Sequence, residues 1–217
     1  MGLFASELMP ALKAAGAVMA LADDLGATVG RLGAVIDQAD YRRLMGFWAT
    51  GVSVVTARGA EGPYGATLNA FSSLSLDPPL LLVCFDHSAR TLGAVRHAGR
   101  FCVNILSAEQ EEVSRRFVGK RAMEEKFSEL AWLDEHGVPV LRDCLAVIVC
   151  DVAQEVEAGD HAIVIGSPVH VAANDDLHPL VFYRGGYWER IAERAESGVQ
   201  PSGEFRLSPP AAGGERD

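Results

Sequence analysis

The sequence predicts a mainly β fold with flanking helices, arranged as an antiparallel barrel. Short β-like runs recur at close spacing, and the helices between them are short and do not alternate regularly with strands. Hydrophobic residues make up 49% of the 217 positions, which is enough for a sizeable core. A doubly wound parallel sheet would need regular βαβ alternation, so the pattern favours the antiparallel barrel.

Residues 1–38 are predicted to be an N-terminal helical extension. Apolar residues at three- and four-residue steps give it one stripe: Leu8, Leu12, Ala15, Met19 and Ala22. That stripe could pack on its own domain, pack across a dimer, or dock another protein. The main domain is expected over residues 39–195. Residues 196–217 are rich in Gly, Pro, Ala and charge, and are predicted to be a disordered tail.

Within the main domain, Asp40 can cap a helix that runs from Tyr41 to about Ala49. A second helix is expected from Thr91 to a stop at Gly99. The capping-box pattern of residues 107–110 opens a third, which ends near Val118. Strands are predicted at residues 52–57, 64–70, 80–85, 100–106, 144–156, 161–171 and 180–183.

Charge and cysteine content narrow the functional classes. The net charge of −10 argues against a broad surface for nucleic acid or an anionic membrane, because there is no excess of Lys and Arg. The four cysteines form no CxxC pair and fall in apolar runs, so buried reduced thiols and a cytoplasmic location are expected. No secretory signal, membrane span or metal-ligand spacing is predicted.

A polar stretch between two apolar runs is the first candidate site. Residues 67–79 read TLNAFSSLSLDPP, in which hydroxyls and amides alternate with apolar anchors. Such a surface can hydrogen-bond a flat, polar ligand, and the Pro pair stiffens its exit. A solvated loop with Ser and Thr turns is the competing interpretation.

Two further polar clusters follow. Ser88, Arg90 and Thr91 lie at a strand-to-helix junction, where free N–H groups and a guanidinium could seat a phosphate. An ordinary helix cap with a surface arginine would look the same. Residues 159–161 read Gly-Asp-His at a hairpin turn, which is also a common turn sequence.

Taken in order, these clusters have a recognisable arrangement. The run TLNAFSSLSLDPP at 67–79 is followed by FCVNIL at 101–106, GDHAIVIG at 159–166 and PLVFYRGGY at 179–187. This order resembles the short-chain flavin reductases that partner two-component flavin-dependent monooxygenases. The resemblance covers about residues 40–190.

The resemblance implies an FMN-binding split β-barrel, a homodimer, and NAD(P)H-dependent reduction of free FAD or FMN. It implies His161 as the catalytic residue, which meets the nicotinamide. The cofactor-binding residues it implies are Thr67, Leu68, Asn69, Ala70, Ser72, Ser73, Ser88, Arg90, Thr91, Asn104, Gly159, Asp160, His161 and Tyr187. Reduced flavin would then pass to a separate monooxygenase.

This chemistry suits the residues present. Hydride transfer between stacked rings depends on the cofactors for its electronics and on the protein for orientation, so no carboxylate pair or nucleophile is required. A non-enzymatic flavin-binding electron carrier or sensor on the same barrel is the main alternative. An oxidase of the pyridoxamine-phosphate type is a third interpretation. The sequence shows no added basic cluster for a second phosphate, which argues against it. The choices of FAD or FMN, and of NADH or NADPH, stay open.

Overall fold

The computed structural model describes residues 36–188. Its strands are β1 (Thr50–Gly51), β2 (Ser53–Gly59), β3 (Gly62–Leu68), β4 (Phe71–Leu76), β5 (Pro79–Asp86), β6 (Arg100–Ile105), β7 (Trp132–Glu135), β8 (Val138–Leu141), β9 (Ala146–Ala158), β10 (His161–Ala173), β11 (Val181–Tyr183) and β12 (Gly186–Trp188). Its helices are α1 (Gln38–Met45), α2 (Arg90–Ala98), α3 (Glu111–Phe117) and α4 (Met123–Phe127), with a 3-10 turn at Ala108–Gln110. All but the last three residues of the predicted extension 1–38, and the whole of the predicted tail 196–217, lie outside these residues.

The chain divides into two units, Met1–Ala49 with Tyr183–Gly185, and Thr50–Phe182 with Gly186–Asp217. In the first unit, α1 begins at Gln38 rather than at the predicted Tyr41, so Asp40 lies inside the first turn and does not cap it. None of the eight described residues of α1 is buried. The apolar face that periodicity predicts is therefore exposed over its described length.

The second unit is built on a seven-stranded sheet with the order β3-β2-β6-β9-β10-β5-β4. Every pairing along it is antiparallel. The two end strands, β3 and β4, are consecutive in the chain and are joined by Asn69 and Ala70 alone. The predicted mainly β, antiparallel barrel class is confirmed.

Strand β4 differs from expectation, because residues 71–76 were predicted as part of a polar surface and not as a strand. It pairs only with β5 and carries exposed Leu74 and Leu76. An edge strand has one free side, so its residues need not show the apolar alternation by which buried strands are recognised.

Three apolar clusters fill the interior of this unit, of which two lie next to its helices. The first packs beneath α2 and includes Phe85 and Phe101, both fully buried. Gly166 of β10 admits the Phe101 ring, because a Cβ there would lie 2.5 Å from it. The second cluster joins Leu180 to Phe117 and Phe127, which pack edge to face. No helix among residues 36–188 is long and apolar enough to cross a bilayer.

Local signals at helix ends are confirmed. The capping box is present, with Gln110 Oε1 accepting from the Ser107 amide at 3.0 Å. Gly99 ends α2 with a left-handed φ of 64°, which glycine adopts without strain. All four cysteines are free, as predicted, although Cys84 and Cys144 are only partly buried.

Candidate functional site

A groove of about 390 Å³ opens between the end of β3, with the link that follows it, and the end of β5. One wall is the end of β3 and its link to β4, residues 65–70. The other walls are the end of β5, the start of α2, the segment after α3, and α4. This volume lies within the range of small-molecule sites, about 300–1,000 Å³.

The β3 wall is tied to α3 by side-chain hydrogen bonds. Thr67 Oγ1 donates to the Ser114 carbonyl at 2.6 Å, and the Ser114 and Tyr187 hydroxyls are 2.9 Å apart. The Tyr187 ring lies beneath the Arg115 guanidinium, 4.8 Å from its centroid, and packs edge to face on Phe182. These contacts fix Thr67 at the groove and place Tyr187 behind it.

Tyr187 lines a second, smaller cavity of about 150 Å³. Thr67, Leu68 and Asn69 line both cavities, so the two adjoin. The structure therefore brings Tyr187 next to the groove and not into it.

At the other end, α2 begins against the groove. Its N-cap is Ala89, which offers no side-chain cap, so the first-turn N–H groups have no side-chain acceptor at that position. Arg90 and Thr91 follow directly, and the Arg90 guanidinium donates to the Arg121 carbonyl. Ser88 differs from expectation, because its hydroxyl and its amide both donate to Asp86 Oδ1, at 2.6 and 2.7 Å.

Asp86 is a groove residue that sequence reasoning missed. The Ser88 hydroxyl, then the Ser88 amide, hold the pKa of its carboxyl below the usual range, with smaller help from two nearby histidines. The carboxylate is thus ionised at neutral pH, close to the cationic start of α2. An Asp-x-Ser turn could have been suspected from the spacing, but its position in the groove could not.

His161 stands at the rim. It opens β10, where it pairs in register with Asp86 of β5, and Gly159 makes the preceding turn with a φ of 64°. Its Nδ1 lies 2.6 Å from Asp160 Oδ1, and its side chain is 43% exposed. That hydrogen bond, together with the charge of His161, holds the pKa of the Asp160 carboxyl below its usual range.

Five further predicted site residues do not line the groove. Ser72 and Ser73 are exposed on β4, where the Ser72 hydroxyl donates to the Ser73 carbonyl. Asn104 is fully buried in β6 and does not line the groove. Gly159 and Asp160 shape the turn beside His161 but are not groove walls.

The structure does not bring Asn104 to the groove, because its amide is engaged inside the protein. Nδ2 donates to the Val54 carbonyl at 2.9 Å and to Thr56 Oγ1 at 3.0 Å. Oδ1 accepts from the Leu141 amide at 2.8 Å. The side chain joins β2, β6 and β8, and a buried amide is stable there because its groups are satisfied.

A second missed residue is Lys126 of α4, which lines the groove although it is 2% exposed. In the sequence nothing separates it from Lys120, whose side chain is exposed. Together these residues form a groove with a polar backbone wall, a cationic end and an imidazole at the rim. It suits an elongated ligand that carries a flat polar ring and an anionic group.

Comparison with known proteins points the same way. Residues 45–189 match the family described as "Flavin reductase like domain". The chain is 44% identical over 176 residues to a "Probable flavin reductase" of Rhizobium meliloti, covering 80% of this chain but only 55% of that protein. It is 37% identical to a "Flavin-dependent monooxygenase, reductase subunit HsaB" of Mycobacterium tuberculosis, covering 72% of this chain and 84% of that protein.

Among solved structures, the fold is similar to the Streptomyces globisporus C-1027 NADH:FAD oxidoreductase SgcE6, in complex with NAD and FAD fragments. The TM-score is 0.69 and the identity 31%, over 74% of this chain and 96% of that one.

Proposed function

The chain belongs to the flavin reductase like domain family, and from that premise we propose that it catalyses the NADH-dependent reduction of FAD or FMN. The family that the sequence motifs resemble is thereby confirmed. The observation that carries the proposal is the groove itself, which joins a polar wall, a cationic end and a rim imidazole. In the reaction a hydride from NADH and a proton pass to the oxidised flavin, and NADH becomes NAD⁺.

The residues present fit a flavin. Thr67, Leu68, Asn69 and Ala70 line the groove and would contact the ring system, with Thr67 fixed by its bond to Ser114. Backbone N–H groups and hydroxyls at the ring would stabilise the negative charge that reduction places on it.

The phosphate would lie at the start of α2, where Arg90 and Thr91 line the groove. Ser88 could join them only by giving up its bond to Asp86. Tyr187 would act through Ser114 on the position of Thr67.

His161 is the proposed catalytic residue. Its half-exposed ring lies where a second nucleotide could reach the groove from solvent, and its bond to Asp160 limits the orientations of the imidazole. The ring would contact the nicotinamide and hold it against the flavin. Close, aligned rings are the main requirement of hydride transfer, so orientation is the contribution expected of the protein.

Steady-state assays test the activity. NADH or NADPH oxidation at 340 nm would be followed with FAD, FMN or riboflavin in turn. We expect turnover with NADH that depends on added flavin. If no flavin supports oxidation of either nucleotide by folded protein, the proposed activity is refuted, and the non-enzymatic binder becomes the better interpretation.

We also propose that the reduced flavin leaves for a separate monooxygenase, supported by the reductase-subunit name of the Mycobacterium relative. The reductase with NADH and FAD would be separated by a dialysis membrane from a flavin-dependent monooxygenase and its substrate. Hydroxylated product beyond the membrane is expected, and its absence would contradict free diffusion. A homodimer and a cytoplasmic location stay predictions, to be tested by light scattering and by fractionation.

A further inference from the structure

Four basic side chains gather at one end of the groove, in a chain whose net charge is −10. Arg90, Lys120 and Lys126 line it, and the charge of Arg121 acts on Lys126 from close by. Within residues 36–188, none of the four forms an ion pair with a carboxylate. The Asp86 carboxylate lines the same groove but is bound by Ser88 and pairs with none of the four, so their charge is available to an anionic ligand.

Lys126 is the buried member of this cationic cluster. Its Nζ donates to the Phe117 carbonyl at 2.8 Å and to the Gly119 carbonyl at 2.9 Å. Both acceptors belong to the groove wall that follows α3, so one ammonium fixes that wall to α4. Burial, then the charges of Arg90 and Arg121, lowers the pKa of Lys126.

A purely structural tie between α4 and the wall would not need a charge. A buried ammonium loses its hydration, and two carbonyls replace only part of it. A neutral donor at this position would carry a smaller desolvation cost. The charge of Lys126 is therefore useful only if it acts on a ligand that enters the groove.

We propose that Lys126 is a positioning residue for phosphate-bearing flavins: it holds the wall at the cationic end, and its charge favours FMN and FAD over riboflavin. This inference rests on the proposed function. It extends the predicted phosphate site from the start of α2 to a residue about 35 positions further on.

Binding measurements without NADH test it. Flavin fluorescence quenching would give Kd for FMN and riboflavin with wild type, K126R and K126Q. Arginine keeps the charge and the donors, so K126R should stay within about threefold of wild type for both flavins. K126Q should weaken FMN by about tenfold or more and riboflavin by less than about twofold.

R96Q is the matched control, since it removes one positive charge from an exposed side chain of α2 that does not line the groove. Its effect on FMN should be below about threefold because water screens it. Equal weakening of both flavins by K126Q would show a structural role only and overturn the proposal. So would an unchanged FMN affinity.

A measurement on wild type covers the case in which K126Q does not fold. The sequence contains three lysines, Lys13, Lys120 and Lys126, so ¹³Cε-lysine NMR gives a spectrum that K126R can assign. FMN should shift the Lys126 signal and riboflavin should not. The same shift with both flavins would refute the proposal. A lack of NADH turnover would count against the proposed activity and leave these binding results standing.

Discussion

At the scale of the residue, the rim of the groove carries a hydrogen-bonded pair and not a lone imidazole. Asp160 can accept from only one ring nitrogen of His161, so the other is directed away from it. The motif Gly-Asp-His is therefore more than a turn sequence, because its second residue orients its third. An oriented imidazole is what the proposed contact with a nicotinamide would use, whereas a flavin carrier has no nicotinamide to align.

His161→Ala should lower kcat/KM for NADH by about 10- to 100-fold, since the nicotinamide loses an orienting contact. The flavin Kd should change by less than about threefold, because the imidazole is at the rim. Stopped-flow flavin reduction and fluorescence titration give the two quantities.

His97→Ala is the control, as His97 is exposed on α2 and does not line the groove. It should match wild type in both measurements. Equal losses of turnover and flavin affinity in His161→Ala would favour the non-enzymatic binder.

The order of residue types along the chain predicted many of the residues that line the groove. It also assigned to the site some residues that lie elsewhere. The residues that line it from β3 and α2 were predicted because their neighbours in sequence are also their neighbours in space. Asn104 was not distinguishable from a ligand contact, because a buried amide that joins three strands looks the same in sequence. Lys126 was missed because its acceptors are main-chain carbonyls, which carry no sequence signal.

At the scale of the element, the groove depends on how closely β3 and α3 approach. A Cβ at Gly65 would lie 2.5 Å from the Phe117 ring, which is fully buried at the end of α3. Because Gly65 has no side chain, the end of α3 can pack directly against β3 at this position. The same contact sets where the wall after α3 begins.

Gly65→Ala should destabilise the fold by about 1–3 kcal/mol, since the added methyl group overpacks the core. It should also weaken flavin binding, because relief of the clash moves Phe117 and the wall that follows. Urea unfolding and flavin titration measure both effects.

Gly93→Ala is the matched control, because a Cβ there meets nothing within 4 Å on the exposed side of α2. Alanine in a helix should add about 0.4–1 kcal/mol to the free energy of unfolding and leave binding unchanged. A Gly65→Ala protein as stable as wild type would show that Phe117 can move aside.

Element prediction succeeded where the signal is local. The capping box of residues 107–110 and the stop at Gly99 are defined by hydrogen bonds a few residues apart, which the sequence records directly. Strand β4 was missed since its pairing with β5 and its exposed edge depend on the whole sheet. The observed start of α1 lies three residues before the predicted start, because Asp37 and Asp40 are both plausible residues at the beginning of a helix.

At the scale of the whole molecule, the buried thiol of Cys150 and the partly buried thiol of Cys144 couple the free energy of unfolding to pH. Burial, with a smaller effect of Asp151, raises the pKa of Cys150 from 9.0 to about 12. Burial also raises the pKa of Cys144 to about 12. In the unfolded chain these thiols ionise near pH 9, so the folded state holds more protons above that pH. Their stabilising contribution is complete below pH 9 and is lost as the pH rises toward 12.

The free energy of unfolding should therefore fall between about pH 9 and 12, by about 1.4 kcal/mol per pH unit for each such thiol. Cys150→Ala should lower the free energy of unfolding at every pH through lost packing. Above pH 9.5, however, its free energy of unfolding should fall less steeply than that of wild type, by about 1.4 kcal/mol per pH unit. Urea titrations under reducing conditions at several pH values measure this slope. Parallel curves for the two proteins would contradict it.

The two-residue joint between β3 and β4 has one more consequence. The strands at opposite margins of the sheet are consecutive in the chain, and the groove lies beside their link, between the end of β3 and the end of β5. A flavin seated there would act as a clasp, in contact with β3 at one margin and with β5, which lies next to the other margin. Each tenfold rise in flavin above its Kd would then make the closed sheet about 1.4 kcal/mol harder to open, so the reductase would be most robust when its substrate is abundant.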